Sequence, residues 1–261
     1  MAPTLHLRDH RQPTRRDQKL FAKLLGETPM EPVTLSPKFK GDLRHYQEEA
    51  YQWLSFLYQH RFGACLADDM GLGKTIQAIA FLTSLQSGAI PNIEAKYPNL
   101  IVVPPSLVYN WESEFTTFAP HLKSRLVINQ QSLGWSQDDQ IMISTYECVR
   151  RNLDWFLEKN FNVIVFDEAQ LVKNLTAART HAVRQLKGRF KLALTGTPME
   201  NHLGEYYAIM DLVVPGLLGP FTTFQKRTKL GEVDGLLRRT KPFILRRTKE
   251  AILDELPDKT E

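Results

Sequence analysis

From residue 42 onward the apolar positions of the chain follow two alternating rhythms. Leu43, Tyr46, Ala50, Trp53 and Leu57 recur at spacings of three and four, which predicts an amphipathic helix with one buried stripe. A short apolar run over 62–67 follows, and then a glycine-rich segment over 68–75. Residues 76–85 are apolar nearly all round, as a helix buried on more than one side should be. Short runs then return at 100–103, 125–128, 141–144, 163–166 and 191–194, separated by helical or loop material. Runs that are apolar throughout, rather than alternating, belong to strands covered on both faces, and strands spaced by helices pair in parallel. The pattern therefore predicts an α/β fold with a doubly wound, mostly parallel sheet.

The flanks differ from this centre. Residues 1–40 hold five prolines and one helical candidate at 18–25, and read as a leader to a main lobe over 41–220. After Pro220 the chain becomes basic and helical, so 221–261 is expected to be a helical protrusion or the start of a link to a further part.

Composition narrows the class. A chain of 261 residues, 43% apolar and 24% charged, has the make-up of an ordinary globular protein. Its longest apolar stretches are far short of the ~20 residues of a membrane span, and no secretory signal pattern opens it. Cys65 and Cys148 stand 83 positions apart and the seven histidines are scattered, which argues against a disulfide scaffold or a zinc site. The net charge of +4 is uneven: residues 1–23 carry six Lys/Arg against two Asp, and 226–249 carry nine against two acids. Basic ends around a mildly acidic centre suit contact with a polyanion, the alternative being a solvated surface.

Two segments carry chemistry. Asp68-Asp69-Met70-Gly71-Leu72-Gly73-Lys74-Thr75 lies between a predicted strand and a predicted helix. Glycines there let backbone N–H groups converge on an oxyanion, and the helix N-terminus adds partial positive charge. Lys74 is placed to reach the β and γ phosphates of a nucleotide, and the Thr75 hydroxyl to ligate Mg²⁺. The usual first glycine of such a loop is replaced by Asp68. The second segment puts Asp167 and Glu168 directly after the apolar run 163–166. At the carboxyl end of a parallel strand, Asp167 suits Mg²⁺, and Glu168 suits the attacking water. Taken alone, such a pair also suits a helix cap.

Together with Leu43-Arg44-His45-Tyr46-Gln47, Asp167-Glu168-Ala169-Gln170 and a run from Leu194 through Thr195, Gly196 and Thr197 to Asn201, these residues resemble a known family. They are similar to the first RecA-like lobe of the Swi/Snf-related ATPases, helicase-like motors that translocate on double-stranded DNA. Phe243-Ile244-Leu245-Arg246-Arg247-Thr248-Lys249, followed by Leu256 and Pro257, is a further mark of that family. The resemblance implies ATP and Mg²⁺ as cofactors, with Asp69 through Thr75 around the phosphates and Gln47 recognising adenine. It implies that the loops at Pro104–Leu107, with Pro105 and Ser106, and at 144–146, with Thr145, grip the DNA backbone. Thr195, Gly196 and Thr197 would couple the nucleotide site to a second RecA-like lobe, which carries the arginine fingers and is absent from this chain. The chain is therefore expected to be one piece of a longer product. Similarity to bacterial members points to the cytoplasm and the nucleoid.

Some readings stay open. Gln47 could be a polar residue beside a buried stripe, and the loops after the strands could be plain turns or caps. Arg246 and Arg247 could contact DNA, contact the second lobe or solvate a helix. Ala169-Gln170 stands where many relatives end in histidine, and 220–242 is shorter than the family pattern implies. A nucleotide- or DNA-binding module without turnover is the rival reading. A different superfamily-two motor, such as an RNA helicase or a restriction translocase, is another, and a P-loop kinase fits least.

Overall fold

The computed structural model describes residues 15–91, 97–136, 138–196 and 203–255. In chain order the elements are α1 Arg15–Leu24, α2 His45–Gln59, β1 Ala64–Leu66, α3 Lys74–Gln86, β2 Asn99–Val103, α4 Val108–Phe118, β3 Ser124–Val127 and β4 Ile141–Thr145. There follow α5 Tyr146–Arg151, α6 Leu153–Leu157, β5 Phe161–Phe166, α7 Ala178–Gln185, β6 Gly188–Leu194, α8 Leu203–Val213, α9 Phe221–Lys229, α10 Val233–Thr240 and β7 Ile244–Leu245. The strands form one sheet in the order β3-β4-β2-β5-β6-β1-β7, and each neighbouring pair is parallel.

The apolar runs become strands because helices cover both faces. Every residue of β1, β2, β4 and β5 is buried, as continuous rather than alternating hydrophobicity requires. Helix α3 buries nine consecutive residues from Gln77 to Leu85, which accounts for its apolar circumference. Tyr58, Phe81 and Phe190 meet at centroid distances of 5.5–5.8 Å, joining α2, α3 and β6 in the core.

Parallel pairing has a direct consequence for function: all strands end at the same edge. Leu66 of β1 is level with Leu194 of β6 and Leu245 of β7, and Phe166 of β5 is level with Ala193. The ladder continues one residue further, with N–H donors from Ala67, Asp167 and Thr195 to the carbonyls of Leu245, Val102 and Leu66. Ligands bind at this carboxyl edge in open parallel sheets.

Both flanks make contacts with the lobe. The segment expected to protrude after Pro220 does contain helices α9 and α10, but it then returns as β7, the seventh strand. The return is fixed by Phe243 packing on Phe62 at 5.1 Å and by the Trp53 indole donating to the Pro242 carbonyl at 3.0 Å. At the other end, residues 33–40 are tied to the helices of the lobe. Val33 N–H donates to Gln52 Oε1 at 2.7 Å, Ser36 N–H to Ser84 Oγ at 3.1 Å and Lys40 N–H to the Phe118 carbonyl at 2.8 Å, which straps the segment over α2, α3 and α4.

Candidate nucleotide site at the carboxyl edge of the sheet

The glycine-rich segment links β1 to α3 as expected. Gly73 caps α3 with φ 76°, in the left-handed region that a side chain disfavours. A Cβ there would also stand 2.6 Å from Gln47 Nε2, so loop and α2 need each other's shape. Gln47 Nε2 and the Tyr46 hydroxyl both donate to the Leu72 carbonyl, at 3.3 and 3.2 Å, and Gln77 Nε2 joins them at 3.1 Å. Gln47 is thus buried against the loop rather than merely beside the stripe of α2.

Lys74 Nζ donates to the carbonyls of Asp68 and Asp69 at 2.7 and 3.1 Å. Burial pushes its ammonium below the ordinary lysine value, against the opposing charges of Asp68, Glu168, Asp167 and Asp69. Thr75, next in the helix, is half-buried. Met70 is largely exposed, at 69%.

Asp167 sits one residue beyond β5 and is 7% exposed. Its Oδ2 accepts from the Trp111 indole at 2.8 Å and its Oδ1 from the Glu168 N–H at 2.9 Å, while its carbonyl accepts from the Tyr146 hydroxyl at 2.7 Å. Burial raises its carboxyl above the ordinary range, the two donors and Lys74 pull the other way, and Glu168 adds to the rise. Lys74 and Asp167 are therefore both pushed towards neutrality by desolvation. A polyanion beside Lys74 and a hard cation beside Asp167 would relieve both, so the residues present fit a nucleotide phosphate and Mg²⁺.

Glu168 has φ 50° and ψ 50°, a left-handed conformation uncommon away from functional turns. Its Oε2 accepts from Gln170 Nε2, and Gln170 Oε1 accepts from the Thr195 hydroxyl at 2.8 Å. Gln170, the departure noted in the sequence, bridges the acidic pair to the end of β6. The next residue, Gly196, approaches so closely that a Cβ would stand 2.8 Å from Met70 Cγ and 3.5 Å from Lys74 Nζ. Thr197 lies outside the described residues, as do Pro198 to Asn201 and the motif at Leu256 and Pro257.

A separate cleft of about 530 Å³ opens beside the ends of β2 and β4. Pro105 and Thr145 line it, with Tyr109, Asn129 and Arg151, and Ser106 is exposed on the same turn as Pro105. Thr145 Oγ1 caps α5 by accepting from the Cys148 N–H at 3.0 Å, the role of an ordinary turn, while still lining the cleft.

Arg246 is exposed, whereas Arg247 takes a place that none of the three sequence alternatives included. Its Nε and Nη2 grip the two carboxylate oxygens of Asp68 at 3.1 and 2.6 Å, and Asp68 is fully buried. Sequence reasoning also missed Trp111, which reads as one more core aromatic, and Gln77, which reads as one polar residue in an apolar helix.

A glycine-rich strand–loop–helix turn after β1, a buried acidic residue at the end of β5 with β6 between the two strands, and a parallel sheet define a P-loop nucleotide-binding lobe. The chain belongs to the family of the SNF2-related domain, whose model matches residues 46–261. It is 41% identical over 228 residues to a Mycoplasma genitalium protein named as an uncharacterised ATP-dependent helicase, covering 84% of this chain and 22% of that one. It is 37% identical over 263 residues to YwqA of Bacillus subtilis, covering 94% of this chain and 28% of the relative. The SWI2/SNF2 ATPase core of Sulfolobus solfataricus, solved in complex with double-stranded DNA, superposes with a TM-score of 0.78 at 36% identity, over 88% of this chain and 49% of that one. The chain thus spans 22% and 28% of those two relatives' length.

Proposed function

We propose that this chain is the ATP-binding first lobe of a double-stranded DNA translocase. The observation that carries the reading is the convergence of Lys74, Asp167, Glu168 and the Gln170–Thr195 bridge on one sheet edge. Lys74 and the loop from Asp69 to Thr75 would hold the phosphates, and Gln47, packed against the loop, the adenine. Thr75 and Asp167 would hold Mg²⁺, which when bound neutralises charge on the transferring phosphate.

In the hydrolytic step a water oxygen attacks the γ-phosphorus and the bond to the β-phosphate oxygen breaks. Glu168 would take the proton of that water, and Gln170 would keep its carboxylate aimed. Thr195, held by the same glutamine, and Gly196, against Lys74, would pass the change to a second RecA-like lobe. Pro105, Ser106 and Thr145 would meet the DNA backbone at the cleft, where hydroxyl and backbone donors bind phosphate without reading sequence. No helix among the described residues is long and apolar enough to cross a membrane. The likeness to bacterial relatives favours work in the cytoplasm at the nucleoid.

Arg247 is committed to Asp68, so it is not poised as an arginine finger for this site. Such a finger contributes about 10³–10⁵ in turnover, which favours the second lobe as its source. The test is ATP hydrolysis by the chain alone, with duplex DNA, and with the second lobe added. Slow turnover that rises only when lobe and DNA are both present supports the reading. Fast, DNA-independent turnover by the chain alone contradicts it.

A further inference from the structure

The first position of the phosphate loop, where such loops ordinarily carry glycine, holds a fully buried acid, Asp68. Burying a charge pair costs more than burying apolar groups of the same size, so folding alone gives little reason for it. Its partner comes from the far end of the chain. Arg247 Nε and Nη2 clasp Asp68 in a two-pronged ion pair, the geometry that the planar guanidinium favours. The same side chain reaches Gln77 Oε1 of α3 at 3.2 Å, donates to the Tyr46 carbonyl of α2 and lies 5.1 Å over the Tyr46 ring.

The backbones are joined as well. Asp69 N–H donates to the Arg247 carbonyl at 3.0 Å. In return, Arg247 N–H donates to Asp68 Oδ1 and Lys249 N–H to Asp69 Oδ2, each at 3.1 Å. Asp68 and Asp69 are also the residues whose carbonyls hold Lys74. One pair of acids therefore grips the phosphate lysine on one side and residues 247–249, which continue the chain beyond β7, on the other.

We infer that Arg247 is a positioning residue that sets the phosphate loop through Asp68 and makes residues 247–249 respond to nucleotide. The inference rests on Lys74 binding phosphate, as proposed above. A triphosphate draws Lys74 off the two carbonyls. With that cation withdrawn, the carboxylates of Asp68 and Asp69 hold Arg247 and the two amide donors more tightly. By linkage, a variant that gives up the clasp binds nucleotide more weakly, at most by the factor by which nucleotide tightens Arg247.

Two measurements on the full chain test this. The first is titration with methylanthraniloyl-ATP and Mg²⁺ of the wild type, Arg247→Lys, Lys74→Ala and, as a control for loss of a surface cation, Lys229→Ala. Arg247→Lys keeps the charge and loses the fork. It should bind about tenfold more weakly, within the usual range of coupling between sites, and Lys229→Ala should bind as wild type does. The second measurement is hydrogen exchange at the amides of Arg247 and Lys249 in the wild type, which does not depend on any variant folding. Their exchange should slow at least about fivefold when the nucleotide and Mg²⁺ are added, and should not change in Lys74→Ala. Wild-type affinity in folded Arg247→Lys, or unchanged exchange at both amides in the nucleotide-bound wild type, overturns the inference. If Lys74→Ala itself binds as tightly as the wild type, the phosphate-loop reading fails instead and the inference falls with it.

Discussion

The indole of Trp111, in the middle of α4, donates a 2.8 Å hydrogen bond to Oδ2 of Asp167, at the end of β5. Trp111 is fully buried, so a side chain that fills the core also sets the direction of the carboxylate proposed to hold Mg²⁺. Partners of this kind, one step removed from the metal, typically contribute about 10–100-fold to metal affinity.

Trp111→Phe should therefore weaken Mg²⁺ binding about tenfold in the presence of nucleotide, and leave nucleotide affinity in Mg²⁺-free buffer unchanged. The smaller ring should also cost roughly 1–3 kcal/mol of stability, read from urea unfolding. Calorimetric titration of Mg²⁺ into the nucleotide complex decides the point. Equal Mg²⁺ affinity in a folded variant would remove Trp111 from the site.

Asp167 should leave a mark on the pH dependence of stability. Its folded carboxyl is raised above the ordinary aspartate value of 3.8, chiefly by burial. The folded lobe then holds that proton more tightly than the unfolded chain, so this group's contribution is fully present below 3.8 and lost as pH rises through the raised value. Asp167→Asn removes the titration. The melting temperature of the variant relative to wild type should be higher at pH 7 than near pH 4, with a difference of about 3 °C for each ~1 kcal/mol involved. Thermal melts across that range, without divalent cation, would contradict the account if the offset between the two proteins were constant.

Gln170 joins Glu168 to Thr195 with one donor and one acceptor. Gln170→Glu replaces the donor with a negative charge beside Glu168. In the protein completed by the proposed second lobe this should lower kcat at least about tenfold, the typical worth of a hydrogen bond to a charged group, with KM for ATP within about twofold. Gln170→His restores a donor and an acceptor in its neutral form and should retain most of the rate. Steady-state kinetics separates the outcomes, and equal kcat for all three side chains would show that the bridge has no part in turnover.

The extent to which the fold and site could be read beforehand follows from how local each signal is. Strands β2, β4 and β5 were legible because burial on both faces writes an unbroken apolar run. The two residues of β7 are too few to show a period, and Ile244 and Leu245 become a strand only because β1 offers its edge. The phosphate loop and the Asp167–Glu168 pair were legible for the same local reason, each following its strand directly. Asp68 was visible only as a missing glycine, because the partner that explains it lies 179 positions away. Trp111 carried no hint at all, since an apolar stripe reads the same whether or not its indole N–H has a task.

Lys74 and its loop are proposed to bind the phosphates of ATP, and an equilibrium titration of this chain with methylanthraniloyl-ATP and Mg²⁺ decides whether they do. The wild type should bind with a Kd of about 1 μM to 1 mM, the range of ordinary enzyme substrates. Lys74→Ala should bind at least about a hundredfold more weakly while melting within a few degrees of the wild type, because a lost contact to a buried phosphate charge costs roughly 3 kcal/mol. Equal affinity in the two folded proteins, or no binding by either, would contradict that role.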